Sequence, residues 1–265
     1  MSRSSQGLFR PVSTVLLGSL TLAIVGCQPG SYTSQPSLDT ASAAVVDLAE
    51  IDWLDDPQAW QGPSTAVVSV DDVQPITSNP PEPQMPRTVI SDDLGGPVEV
   101  SIEAAERIIA LDLAGSLAQT VWGLGYGDRL VGRDISTNLP GLADLPVVTG
   151  TGHAISPEAV LELRPDLIIT DGTVGPIDVM LQLREAGIPL VFVQEPPGLS
   201  QPANQAIRVA EILGQPELGQ QLAETINQQI TEVRSIISQN TPEAEAEKLR
   251  MVFLYLRGAN GIYYL

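Results

Sequence analysis

The sequence predicts an α/β fold built on a parallel sheet, and three observations predict it. From Arg107 onward the short apolar runs RIIALD, RLVG, PVVT, LIIT and PLVFVQ recur, separated by segments of helical character. These runs are continuously apolar rather than alternating, as strands are when helices cover both faces of their sheet. A stretch of more than 20 residues without Gly or Pro then follows Gly219, long enough for one extended helix.

The residues before this pattern differ in kind. Arg3 and Arg10 precede an apolar run from Thr14 to Val25 that ends in IVGC, Ile24 to Cys27. A positive start, a short apolar centre and a small-residue stop read as an export signal over 1–27. The run is too short for a membrane span, which takes about 20 apolar residues. Cys27 is the only cysteine, so an intramolecular disulfide is excluded. Its setting is similar to a bacterial lipobox, which implies cleavage before Cys27 and a lipid on it; a chance cysteine is the alternative.

The chain carries a net charge of −19, and from Gln28 to Val100 there are 12 acidic residues against one arginine, Arg87. Such a chain repels phosphate backbones, which are bound through Lys and Arg, so nucleic acid is not an expected partner. Nine prolines lie between 28 and 86. Acidic, Pro-rich sequence without apolar periodicity buries little surface to offset its ordering entropy. Residues 28–86 are therefore expected to be a tether, with a short helix over 40–54, and deletion of 28–84 is expected to leave stability nearly unchanged.

Order begins near Arg87, where RTVISD and GPVEVS flank a DLG turn and predict a hairpin. Strand 107–112, helix 113–124, strands 129–132 and 146–149, helix 157–163, strand 167–170, helix 176–186, strand 189–194 and helix 201–213 follow. The clearest helix start is Ser156-Pro157-Glu158: a cap, a proline at the first helical position and an acid against the dipole. The unit spans 87–215, a usual size for one α/β domain. In the next segment Leu222, Ile226, Ile230, Val233 and Ile237 share one helical face, giving a helix over 216–240 roughly 35 Å long. LRMVFLYLRG then predicts a new strand over 249–258, the start of a further unit over 241–265.

The candidate chemistry is sparse. His153 is the sole histidine and lies in GTGHAI, at the carboxyl end of the expected strand 146–149. In parallel sheets ligands bind there, so His153 is a candidate for metal ligation or proton transfer, with a cap-side surface histidine as the plain alternative. No nucleophile elbow, second histidine or paired-carboxylate motif accompanies it, and Lys248 is the only lysine. The expectation is no enzyme. GLGYG at 123–127 follows a helix rather than a strand and reads as a helix stop. Tyr255 and Arg257 lie two apart on a strand and so share a face. A cation beside a phenol favours phenolate, making Tyr255 a candidate anionic ligand for ferric iron, or else an ordinary strand-end aromatic.

The motifs SPEAVLELRPDLIIT and ERIIALDLAGSLAQTVWGLGYGDRLVGRD resemble the N-terminal lobe of substrate-binding proteins of ABC importers. In these, one rigid helix joins two α/β lobes, and cobalamin, siderophores or haem is the ligand. The resemblance covers about Arg87 to Arg257. It implies that 87–215 is the first lobe, 216–240 the inter-lobe helix and 241–265 an incomplete start of the second lobe. VVTGTGHAISPEAVL is similar to the haem-specific lipoproteins of the group, which carry a histidine in that loop and a tyrosine with an arginine two residues on. His153 and Tyr255 are then the implied axial haem ligands, with Arg257 supporting the tyrosine and Glu158 docking onto the permease. Implied partners are haem, the permease with its ATPase, and a membrane reached through the lipid anchor. The implied location is the cell envelope, at the outer face of the cytoplasmic membrane or in the periplasm. Cobalamin or a ferric siderophore on the same fold is the alternative ligand.

Overall fold

The computed structural model describes residues 51, 53–59, 73–244, 247–250, 252, 254–256 and 262–264. The signal and Cys27 lie outside the described residues, as does most of the helix expected over 40–54. A hairpin of β1 (Arg87–Ser91) and β2 (Val98–Ile102) comes first, paired antiparallel with Val89 opposite Val100. The α/β pattern follows as β3 (Ile108–Leu111), α1 (Ser116–Gly123), β4 (Leu130–Gly132), α2 (Pro157–Leu163), β5 (Leu167–Thr170), α3 (Ile177–Glu185), β6 (Leu190–Phe192) and α4 (Gln201–Ile212). The sheet order is β4-β3-β5-β6, all parallel.

The apolar strands are buried on both faces because successive residues point to opposite sides. Ile108, Ala110, Leu167 and Ile169 pack with Leu117 and Val121 of α1 and Val209 of α4. Ile109, Leu111 and Ile168 pack with Val160 of α2 and with Met180 and Leu183 of α3. Each such fully buried Ile or Leu is worth about 1.5–3 kcal/mol.

The expected strand over 146–149 is a single parallel bridge, Arg133 to Val147, on the outer side of β4. It goes no further because the chain reverses at once: Gly150 N–H donates to the Ala154 carbonyl (2.7 Å) and His153 N–H to the Gly150 carbonyl (3.1 Å). The helix expected over 113–124 starts only at Ser116. Asp112 caps it, its carboxylate accepting from Ser116 N–H and Leu117 N–H, both at 2.9 Å. Gly115 permits the approach turn: its φ is +70°, and a Cβ there would lie 3.0 Å from Thr137 Cα.

Residues 73–86, expected as the end of the tether, are instead packed on the sheet domain. Ile76 N–H donates to the Gly123 carbonyl (2.9 Å) and Gln84 N–H to the Leu213 carbonyl (3.1 Å), at the carbonyl ends of α1 and α4 that their own helices leave without partners. Trp122 Nε1 donates to the Val73 carbonyl (2.9 Å), Tyr126 Oη to that of Pro81 (2.7 Å), and Arg129 pairs with Glu82 (2.5 Å). Gly125, at φ +94°, leaves room for this strap, since a Cβ would meet the Thr77 carbonyl oxygen at 2.6 Å.

Helix α5 (Pro216–Asn240) is 25 residues long and unbroken. Its first turns bury Leu218, Leu222 and Ala223 against α4, while Val233 and Ile237 further along are exposed. Among the described residues no helix is long and apolar enough to cross a membrane. The strand expected over 249–258 is shorter, β7 (Leu254–Leu256), and pairs antiparallel with β8 (Ile262–Tyr264).

Candidate functional site

The strand order sets a topological switch point in the sheet. From β3 the chain passes through α1 to β4 on one side, and from β5 through α3 to β6 on the other. The connections part at β3 and β5, beyond whose carboxyl ends such sheets bind ligands. The loops there are tied together: Leu113 N–H donates to Thr173 Oγ1 (3.0 Å), Ile135 N–H to Thr149 Oγ1 (3.1 Å) and Gly175 N–H to the His153 carbonyl (3.4 Å).

His153 sits in this edge with φ +60°, the left-handed region that side chains rarely adopt. The tight turn from Gly150 imposes it. The imidazole is 24% exposed, and its Nδ1 lies 3.0 Å from Asp134 Oδ1 and 3.2 Å from Oδ2. Asp134, just beyond β4, is fully buried. Its Oδ1 also accepts from Ser136 N–H (2.7 Å) and Ser136 Oγ (2.5 Å), and its Oδ2 from Thr149 Oγ1 (2.6 Å). Thr149 Oγ1 already accepts from Ile135 N–H, which leaves the threonine proton for Asp134. Burial pushes the Asp134 carboxyl up, but the hydrogen bonds from Ser136, Thr149 and His153 outweigh it and hold it below the usual carboxylate range.

An ionised carboxylate only accepts, so the proton between Asp134 and His153 belongs to Nδ1. With that proton on Nδ1, a neutral imidazole has its lone pair on Nε2, which no described residue engages. Exposed Leu113 and Ile135 follow Asp112 and Asp134 at the same edge. The result is one nitrogen donor beside apolar surface. Among the described residues no group of three or more His, Cys, Asp or Glu side chains gathers to hold a metal ion.

Asp112 is also buried there, and burial raises its carboxyl above the usual value against the hydrogen bonds from Leu117 and Ser116, with the nearby Asp171 charge acting in the same direction. Neither Asp134 nor Asp112 stood out in the sequence. The available signal was a lone Asp closing an apolar run and followed two residues on by Ser, in RLVGRDIS, a pattern suited to a side chain folding back on its own loop.

Glu158 lies exposed in the first turn of α2, where its Oε2 accepts from Ser156 Oγ (3.3 Å) and Ser156 Oγ accepts from Ala159 N–H (3.3 Å). Tyr255 is central in β7, paired with Tyr263 through the backbone. The Tyr255 side chain, Arg257 and Cys27 lie outside the described residues.

A parallel sheet with a switch point between β3 and β5 is continued here by one long helix. The chain belongs to the periplasmic binding protein family, whose model matches residues 108–265. Among solved structures it is similar to the haem-binding protein HmuT, at 36% identity and a TM-score of 0.68, over 75% of this chain and 62% of that one. HmuT structures with single alanine replacements, at a tyrosine, at the arginine two positions after it and at a histidine, match with TM-scores of 0.67 to 0.68. The periplasmic haem-binding protein RhuT from Roseiflexus sp. RS-1, in apo form, matches at 32% identity and a TM-score of 0.51, over 60% of this chain and 58% of that one. Among curated proteins the chain is 29% identical over 141 residues to the vitamin B12-binding protein of Yersinia pestis (strain Pestoides F), 53% of this chain and 49% of that protein. The chain thus spans about half the length of the curated relatives it matches.

Proposed function

We propose that this chain is the lipid-anchored substrate-binding component of an ABC importer, capturing haem between two lobes and delivering it to the membrane permease. The observation that carries the reading is His153, a lone imidazole at the switch-point edge with Nδ1 tied to Asp134 and Nε2 engaged by no described residue. Beside Leu113 and Ile135 this edge suits a flat apolar ring that presents a metal at its centre. HmuT supports the same reading at 36% identity, and the residue types replaced in its variants are those of His153, Tyr255 and Arg257 here. In this reading Tyr255 supplies the opposite axial ligand, Arg257 favours its phenolate, Glu158 docks on the permease and Cys27 carries the lipid.

The test is ferric haem added to the full chain in mild detergent, followed by absorption. A Soret band of protein-bound haem is expected, and His153→Ala is expected to shift it and weaken binding. An unchanged spectrum and affinity in His153→Ala would overturn the assignment. Cobalamin is the second reading, favoured by the vitamin B12-binding relative, and a ferric siderophore would use the same fold. Displacement of haem by equimolar cyanocobalamin would favour cobalamin.

A further inference from the structure

Among the described residues Asp134 has four donors around one buried carboxylate, and three of them belong to its own loop and its neighbour: Ser136 N–H, Ser136 Oγ and Thr149 Oγ1. The fourth is His153 Nδ1. Ser136 and Thr149 together satisfy Asp134 without His153, so the carboxylate is held in place before the imidazole meets it. His153, in contrast, has a strained backbone and, among the described residues, one side-chain partner, so its ring direction depends on Asp134. A histidine that ligates a metal through one nitrogen gains donor strength when the other donates to a carboxylate. A fixed negative charge one imidazole away from iron also favours the higher oxidation state.

We propose that Asp134 is the positioning residue of the ligand site: it holds His153 as the Nδ1–H tautomer with Nε2 turned to the ligand, and its charge favours ferric over ferrous haem. The first half holds whichever ligand binds. The second half rests on the haem reading above.

Because His153 is the only histidine, 15N-histidine labelling of the full ligand-free chain gives one imidazole to observe. The expected pattern is a protonated Nδ1 and an unprotonated Nε2, which Asp134→Ala shifts toward the Nε2–H form. A wild-type pattern with the proton on Nε2, or one unaltered by Asp134→Ala, overturns the first half.

Asp134→Asn separates geometry from charge. Asparagine retains an acceptor toward Ser136 N–H and His153 Nδ1 and turns its NH2 toward Thr149, whose hydroxyl has a second lone pair. The expected result is the same coordination spectrum, ferric-haem affinity lowered by about tenfold to a hundredfold, and a higher midpoint potential for the bound haem. An affinity and midpoint equal to wild type overturn the second half. Should Asp134→Ala fail to fold, the Asn variant and the wild-type tautomer still decide. His153→Ala run in parallel separates the two readings. If it leaves haem binding unaltered, the haem assignment fails; if it alters binding while Asp134→Asn does not, only the role of Asp134 fails.

Discussion

His153 adopts a backbone conformation that costs an ordinary L-residue about 1–2 kcal/mol and glycine almost nothing. His153→Ala and His153→Gly both remove the bond to Asp134 and differ mainly in this strain. His153→Gly is expected to be the more stable of the two by about 1 kcal/mol, read from urea midpoints; a more stable alanine variant would contradict the left-handed turn. A second residue sets an acid limit on the fold. Arg184 of α3 grips Asp93 in the hairpin turn with two bonds, 2.6 and 3.0 Å. Burial raises the Asp93 carboxyl, but the hydrogen bonds from Arg184 and Ser91 and the Arg184 charge bring it below its usual value. A lowered folded-state pKa gives stability that is present above the unfolded value, about 3.9, and lost as the pH falls through the folded one. Asp93→Asn is therefore expected to lose stability at pH 7 and to show a shallower decline as the pH falls below about 4. Equal acid slopes in both proteins would remove Asp93 from the account.

At the scale of elements, the strap over 73–86 changes what truncation should do. Its N–H groups serve the carbonyl ends of α1 and α4, and Tyr126 Oη donates to Pro81, with burial pushing the phenol up to about 12. Tyr126→Phe is expected to cost about 1 kcal/mol, the usual net worth of a hydrogen bond, and removal of 73–84 considerably more, both measured by thermal melting. A melting temperature untouched by the deletion would restore the tether expected for this segment. The sheet and α5 were legible because their apolar spacing is a property of each segment alone: the expected helix over 216–240 and the strand over 167–170 coincide with α5 and β5. The strap was not, since VQPITSNPPEPQMP has no period and its partners, Gly123 and Leu213, lie far along the chain. The same distinction runs through the site. His153 was visible as a lone histidine after an apolar run, whereas Asp134 matters only through a fold that brings residues 19 apart to 3.0 Å.

For the whole molecule, the charge that argued against nucleic acid also bears on the proposed ligand. The chain carries −19, and the carboxylates of Asp112, Asp134 and Asp171 stand at the switch-point edge proposed for the ligand. Arg133, the nearest cation in sequence, is spent on the carbonyls of Leu145, Ala143 and Thr137. Ferric haem bears two propionates and one compensating charge, so it approaches this protein as an anion. Long-range repulsion between like charges slows encounter, and salt relieves it as the Debye length falls from about 30 Å at 0.01 M to about 8 Å at 0.15 M. The association rate for monomeric ferric haem is therefore expected to rise with ionic strength over that range, with a smaller change in dissociation rate. Haem dimethyl ester, which lacks the propionate charges, is expected to lose this rise. Stopped-flow mixing of the full chain with each form measures both. A rate for ferric haem that falls with salt would mean that cationic groups beyond the described residues, Arg257 foremost, steer the ligand against the field of the rest.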